Sequence, residues 1–130
     1  MDGLVLTFGT FDVFHVGHLR LLERARSFGS SLAVGVSTDQ LNFDKKGRRP
    51  VYPQAERYEI INALGCVDKV FFEESLELKG RYIEETGASV LVMGDDWQGK
   101  FDEFEGLCRV VYLPRTPAIS TTEVIEKIRY

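Results

Sequence analysis

The chain has 130 residues and a mass of 14.8 kDa, the length of one domain. It is 44% hydrophobic and 28% charged, so a globular fold with its own core is expected without metal or disulfide staples. Sixteen basic against twenty acidic residues give a net charge of −4, which argues against a nucleic-acid coat or an electrostatic membrane binder, since both need a positive field.

No apolar run approaches the roughly 18 residues of a membrane span. Met1-Asp2-Gly3 lacks the basic start and apolar stretch of a leader peptide. Cys66 and Cys108 have neither metal-type spacing nor the number a disulfide framework needs. The expectation is a cytoplasmic, single-domain protein with no nucleic-acid and no membrane partner.

Short β-like runs alternate with helix-like ones. Leu4 to Phe8 reads as a buried strand, and His18 to Phe28 as a helix stopped by Gly29. Leu32 to Val36 reads as a second strand. Ser37 to Tyr52 reads as irregular and polar and holds the basic run Lys45-Lys46-Gly47-Arg48-Arg49. Pro53 suits the first position of a helix running to about Leu64. Val67 to Phe72 reads as a third strand, then a helix around Leu78 to Glu85 ending at Gly87. Val90 to Met93 and Arg109 to Leu113 read as the fourth and fifth strands. Ser120-Thr121-Thr122-Glu123 has capping-box spacing and opens a terminal helix.

This alternation implies a Rossmann-like, three-layer α/β/α fold with a five-stranded parallel sheet over residues 1–130. In such sheets ligands bind beyond the carboxyl ends of the strands, where the strand order reverses. Three segments therefore matter most: Gly9-Thr10-Phe11-Asp12, Gly94-Asp95-Asp96-Trp97 and Arg115-Thr116-Pro117.

The first continues through Val13-Phe14-His15-Val16-Gly17-His18 and is neither a Gly-Lys-Ser/Thr phosphate loop nor a G-x-G-x-x-G fingerprint. It places the chain's two histidines three residues apart at the mouth of a helix. A helix N-terminus offers free N–H groups and a positive dipole end, and two imidazoles there can donate to phosphate oxygens. A zinc site is the weaker reading, because no third histidine or suitably spaced cysteine joins the pair.

Gly9-Thr10-Phe11-Asp12 with His15-x-Gly17-His18 resembles the H-x-G-H signature of the cytidylyltransferase-like nucleotidyltransferases. Arg115-Thr116-Pro117-Ala118-Ile119-Ser120-Thr121-Thr122 resembles their second signature, R-T-x-x-I-S-T-T. Met93-Gly94-Asp95-Asp96-Trp97-x-Gly99-Lys100-Phe101-Asp102 is similar to a segment of one branch, the bacterial glycerol-3-phosphate cytidylyltransferases. The resemblance covers essentially the whole chain.

The resemblance implies transfer of CMP from CTP to a phosphorylated alcohol, with release of pyrophosphate. The implied product is CDP-glycerol, a precursor of glycerol-phosphate polymers of cell walls or capsules. The attacking phosphate oxygen is already anionic near neutral pH, so no strong general base is required. Positioning and electrostatic stabilisation carry such a reaction.

By resemblance, His15, His18, Lys45 and Arg115 are the catalytic candidates. Gly9, Thr10, Phe11, Gly17, Asp95, Arg115, Thr116, Ser120 and Thr121 are expected on the nucleotide. Lys45, Arg57, Asp12 and Trp97 are expected near the acceptor, with Asp12 orienting neighbours rather than attacking. Mg²⁺ is the expected partner of the triphosphate, with protein ligands unassigned. A homodimer is expected from small relatives.

One departure is visible. Gly65-Cys66-Val67-Asp68 stands where the branch has Arg, an aromatic residue, Val and Asp, so an expected nucleotide-binding arginine is missing. This leaves two other readings open: a sister enzyme using ATP or another acceptor such as phosphocholine, and a nucleotide-binding module without turnover.

Overall fold

The computed structural model describes residues 3–114 and 121–129. Five strands form one sheet: β1 (Leu4–Gly9), β2 (Ser31–Ser37), β3 (Lys69–Glu73), β4 (Val90–Gly94) and β5 (Arg109–Leu113). The helices are α1 (Val16–Arg26), α2 (Asp39–Lys46), α3 (Gln54–Asn62), α4 (Lys79–Thr86) and α5 (Thr121–Arg129). The strand order is β3-β2-β1-β4-β5, and every pairing is parallel.

The strands are nearly continuous apolar runs because both faces of the sheet are covered. On one face Val5, Val34 and Val92 pack with Leu22 and Ala25 of α1 and Ile61 of α3. On the other, Leu6, Ala33, Leu91 and Met93 pack with Ile83 of α4 and with Phe101. The three-layer parallel architecture expected from the alternation of elements is therefore present.

β1 is central, with β2 on one side and β4 on the other. The chain moves outward from β1 through β2 to β3, then returns across to β4. The reversal falls between β1 and β4, and the loops leaving those two strands diverge there.

Four local differences from the sequence expectation stand out. α1 starts at Val16 rather than His18, because His15 itself caps it. The stretch expected to be irregular from Ser37 to Tyr52 contains α2, whose N-cap Thr38 accepts from the Leu41 amide and whose left-handed cap is Gly47 at φ 73°. Glycine enters that region without the Cβ penalty. Pro53 is the N-cap of α3 rather than its first residue. β3 begins at Lys69, since Asp68 first ties the turn to β2: its amide donates to the Leu32 carbonyl, and its carboxylate accepts from the Leu32 amide at 2.8 Å.

Candidate active site

A cleft of about 390 Å³ opens where the β1 and β4 loops diverge, floored by Phe8, Gly9 and Met93 and walled by His15, His18 and Trp97. A second lobe of about 330 Å³ shares Phe8, Gly9, Met93 and Trp97 and extends toward Lys45 and Lys79.

The β1–α1 loop turns into the cleft through an unusual backbone. Phe11 and Val13 have φ of 54° and 47°, and both are buried. The left-handed region is costly for a β-branched residue, so surrounding contacts must hold Val13 there. The Phe11 ring lies against Gly9, where an added Cβ would meet it at 2.8 Å.

Asp12 supplies part of that hold. Its carboxylate accepts from the amides of Val13 at 3.1 Å, Val51 at 2.7 Å and Tyr52 at 2.8 Å. Arg57 supplies more. It is 1% exposed and donates to the carbonyls of Thr10, Ser37 and Tyr52 and to Asp39 Oδ1. Arg57, expected near the acceptor, is placed inside the protein, where its guanidinium holds the loop carrying the histidines.

Thr10 is likewise committed. Asn42 Nδ2 donates to Ser37 Oγ, Ser37 Oγ to Thr10 Oγ1, and Thr10 Oγ1 to Asn42 Oδ1, closing a ring of three side chains between β1, β2 and α2. Thr10 lines the second lobe, with its hydroxyl committed to this ring and its carbonyl to Arg57.

The histidines form a capping box. His15 Nδ1 accepts from the Gly17 amide at 3.0 Å, and His18 Nδ1 accepts from the His15 amide at 3.2 Å. An acceptor nitrogen carries no proton, so each neutral ring holds its proton on Nε2. His15 Nε2 lies 3.4 Å from Thr121 Oγ1, which itself donates to the Asp12 carbonyl at 3.1 Å. The hydroxyl is therefore the acceptor from His15. Burial above all, and then His15, push the His18 pKa down to about 4 against the opposing effect of Asp12. Burial also lowers His15. Both rings are neutral donors near pH 7.

Gly17 lines the cleft, but its amide is the one given to His15. Asp95 and Trp97 lie in the turn after β4, at the cleft mouth, as the sequence predicts. Thr121 joins them from the first turn of α5. Arg115, Thr116 and Ser120 lie outside the described residues.

The basic run divides. Lys45 and Lys46 end α2 and line the second lobe, while Arg48 and Arg49, together with Lys46, line a groove beside α5. Lys45 Nζ stands 6.0 Å from the Trp97 ring centre. Gly65 precedes β3, at the amino end of the sheet, opposite the cleft. The departure at that position removes no side chain from this chain's own cleft.

The sequence reading missed Glu73 and Lys79. Lys79 Nζ donates to Glu73 Oε2 at 2.6 Å, with the side chains 2% and 3% exposed. The ammonium lies 3.9 Å from the Phe8 ring centre and 5.0 Å from that of Phe101. Burial lowers the Lys79 pKa and Glu73 raises it. The partners are six residues apart across a turn, so neither strand nor helix periodicity pairs them.

Among the described residues no three His, Cys, Asp or Glu groups gather as a metal cage. Exposed Asp95 at the cleft mouth suits the other mode of Mg²⁺ binding, with one carboxylate and substrate phosphates as ligands.

The Cytidylyltransferase-like family model matches residues 6–127. The chain belongs to the cytidylyltransferase-like family. It is 45% identical over 124 residues to glycerol-3-phosphate cytidylyltransferase of Bacillus subtilis (strain 168), covering 95% of each chain. It is 39% identical over 124 residues to the Staphylococcus aureus enzyme of that name, covering 95% of this chain and 93% of that one. The structure of a lipopolysaccharide core biosynthesis protein from Thermoplasma volcanium matches with a TM-score of 0.75 at 22% identity, covering 89% of this chain and 99% of that one. That last likeness concerns the fold. Within the family, the histidine cap is the H-x-G-H segment, and the described residues contain no helix long and apolar enough to cross a membrane.

Proposed function

We propose that this protein is a CTP:glycerol-3-phosphate cytidylyltransferase: CTP and glycerol-3-phosphate give CDP-glycerol and pyrophosphate. The observation that carries the proposal is the full-length similarity to enzymes of that name, with both histidines in the strand-reversal cleft.

In the proposed reaction a phosphate oxygen of glycerol-3-phosphate attacks the α-phosphorus of CTP. The bond from that phosphorus to the α,β-bridging oxygen breaks, and its electron pair leaves with pyrophosphate. His15 and His18 donate from Nε2 to the α-phosphate, where charge grows in the transition state. Neutral rings can do this without a proton changing hands. Lys45, Arg115, Thr116, Ser120 and Thr121 hold the phosphates; Asp12 and Arg57 keep the loop in place. Gly9, Phe11 and Gly17 let the triphosphate lie close to backbone, and Asp95 and Trp97 frame the other side. When bound, Mg²⁺ would supply charge neutralisation of the triphosphate, and Asp95 would be the carboxylate that holds it.

A homodimer, a cytoplasmic site of action and supply of CDP-glycerol to cell-wall or capsule polymers belong to the same proposal. The test is pyrophosphate release from CTP on adding glycerol-3-phosphate and Mg²⁺, with sedimentation for the dimer. No release from CTP with glycerol-3-phosphate would refute the activity.

A further inference from the structure

We propose that the Tyr112 hydroxyl is a positioning group for the nucleotide: it pins the turn after β4 to the sheet and so sets where Asp95 and Trp97 stand at the mouth of the cleft. This rests on the transferase reading above and adds to it a residue outside the cleft, since Tyr112 lines neither lobe.

The turn holds itself only weakly. Its backbone bonds run from the amides of Gln98 to the carbonyl of Asp95, Lys100 to Trp97 and Asp102 to Gly99. Each spans three residues, and none of these reaches the sheet. Gly99 has φ of 82°, a left-handed conformation that glycine takes without a Cβ penalty. Asp95, Gln98, Gly99 and Lys100 are exposed. A segment built from short local bonds and exposed residues opens at low cost.

Tyr112 closes it from β5. Its backbone pairs with Met93 in the β4–β5 ladder, beside the point where β4 gives way to the turn. Its hydroxyl accepts from the Phe101 amide at 2.9 Å and donates to Asp102 Oδ1 at 2.9 Å. A hydroxyl offers both a donor and acceptors, so one phenol serves a backbone group and a side chain together. The turn is held at both ends: Gly94 by its pairing with Leu113, and Phe101 and Asp102 by Tyr112.

The hold reaches the cleft through packed rings. Phe101 is buried, and its ring centre lies 5.5 Å from that of Trp97. Trp97 lines both lobes, and Asp95 belongs to the same short 3-10 turn. The two histidines are held separately, by their own capping bonds at the start of α1. Loss of the hydroxyl therefore loosens one wall around the nucleotide and leaves the donors to the α-phosphate in place. Such a change weakens binding and spares the chemical step.

The test uses the whole protein and Tyr112→Phe, which removes the hydroxyl and keeps the ring in its cluster with Phe101 and Phe104. Trp97 is the chain's single tryptophan, so its fluorescence reads this turn alone. We expect emission shifted to the red and more readily quenched by acrylamide. KM for CTP should rise about three- to tenfold, the range of one hydrogen bond, with kcat within about twofold of wild type. A hydroxyl that only stabilises the fold would lower the melting temperature and move neither emission nor KM. A folded variant in which either reading stays at its wild-type value overturns the inference. If Tyr112→Phe does not fold, Asp102→Ala decides by the same two readings, because it takes one partner from the hydroxyl at an exposed position. Wild-type emission or KM in that variant also overturns it. The emission reading needs no turnover, so a protein that releases no pyrophosphate refutes the activity separately.

Discussion

His15 and His18 stack with ring centres 3.9 Å apart at an interplanar angle of 27°, and each gives its Nδ1 to a backbone amide of the turn that opens α1. The bond to Nδ1 thereby fixes the tautomer of each ring and puts the proton on Nε2, which in His15 faces Thr121 Oγ1. Substrate binding then needs no rearrangement of the rings, the condition under which fixed donors stabilise developing charge best.

The two ring nitrogens should be separable by substitution. His18→Asn can place its carbonyl oxygen near Nδ1 and keep the cap, but has nothing at Nε2. We expect melting close to wild type and a loss of about 10²–10³ in kcat, the usual cost of one such donor. His18→Ala loses the cap as well, and its melting temperature should fall further. Turnover of His18→Asn within a factor of two of wild type would contradict the role given to Nε2.

The lowered His18 pKa fixes the sign of a pH effect. The unfolded chain takes up its proton around pH 6.5, the folded one only near 4. The unfolded state is favoured as pH falls through that window, so the contribution to stability is complete above about 6.5 and is lost toward 4. Its size is on the order of 3 kcal/mol, from ~1.4 kcal/mol per unit. Urea melts between pH 4 and 7 should show a steeper slope for wild type than for His18→Asn. Parallel slopes would remove the effect from His18.

Arg57 is expected to matter more for folding than for binding. Arg57→Lys loses the planar fork and cannot reach all four acceptors. Breaking such a buried network by removing one partner costs roughly 3–5 kcal/mol. Differential scanning calorimetry should show a melting temperature lower by about 10 °C or more. Unchanged melting with a raised KM for glycerol-3-phosphate would return Arg57 to the role of an acceptor ligand.

Lys45 is exposed, lines the second lobe and stands 6.0 Å from the ring centre of Trp97, which lines both lobes. Lys45→Ala should melt like wild type yet lose about ten- to hundredfold in kcat/KM. That deficit should shrink as salt is raised, because added ions screen an exposed charge. A deficit that grows with salt would contradict an electrostatic role.

The sheet and its switch point were legible because apolar strands buried on both faces leave a strong signal, as in Leu4 to Phe8 and Val90 to Met93. The cleft was legible for the same reason: strand order dictates where the β1 and β4 loops meet. α2 was not, since Asp39 to Lys46 is mostly polar and its helix rests on Thr38, Gly47 and the buried Asn42–Ser37–Thr10 ring. Histidine as an N-cap was equally hidden, because Ser, Thr, Asp and Asn dominate that position. Arg57 reads as an ordinary helical arginine until the strained Thr10–Val13 loop is seen to need its donors. The segment from Arg115 to Ser120 remains an expectation from its motif.

The central claim is CMP transfer from CTP, and it is tested most directly by pyrophosphate release with CTP or ATP across phosphorylated alcohols, with Mg²⁺ present. We predict release with CTP and glycerol-3-phosphate, little with phosphocholine or phosphoethanolamine, and none with ATP. Release with ATP alone, or none with any pair of substrates, would contradict it.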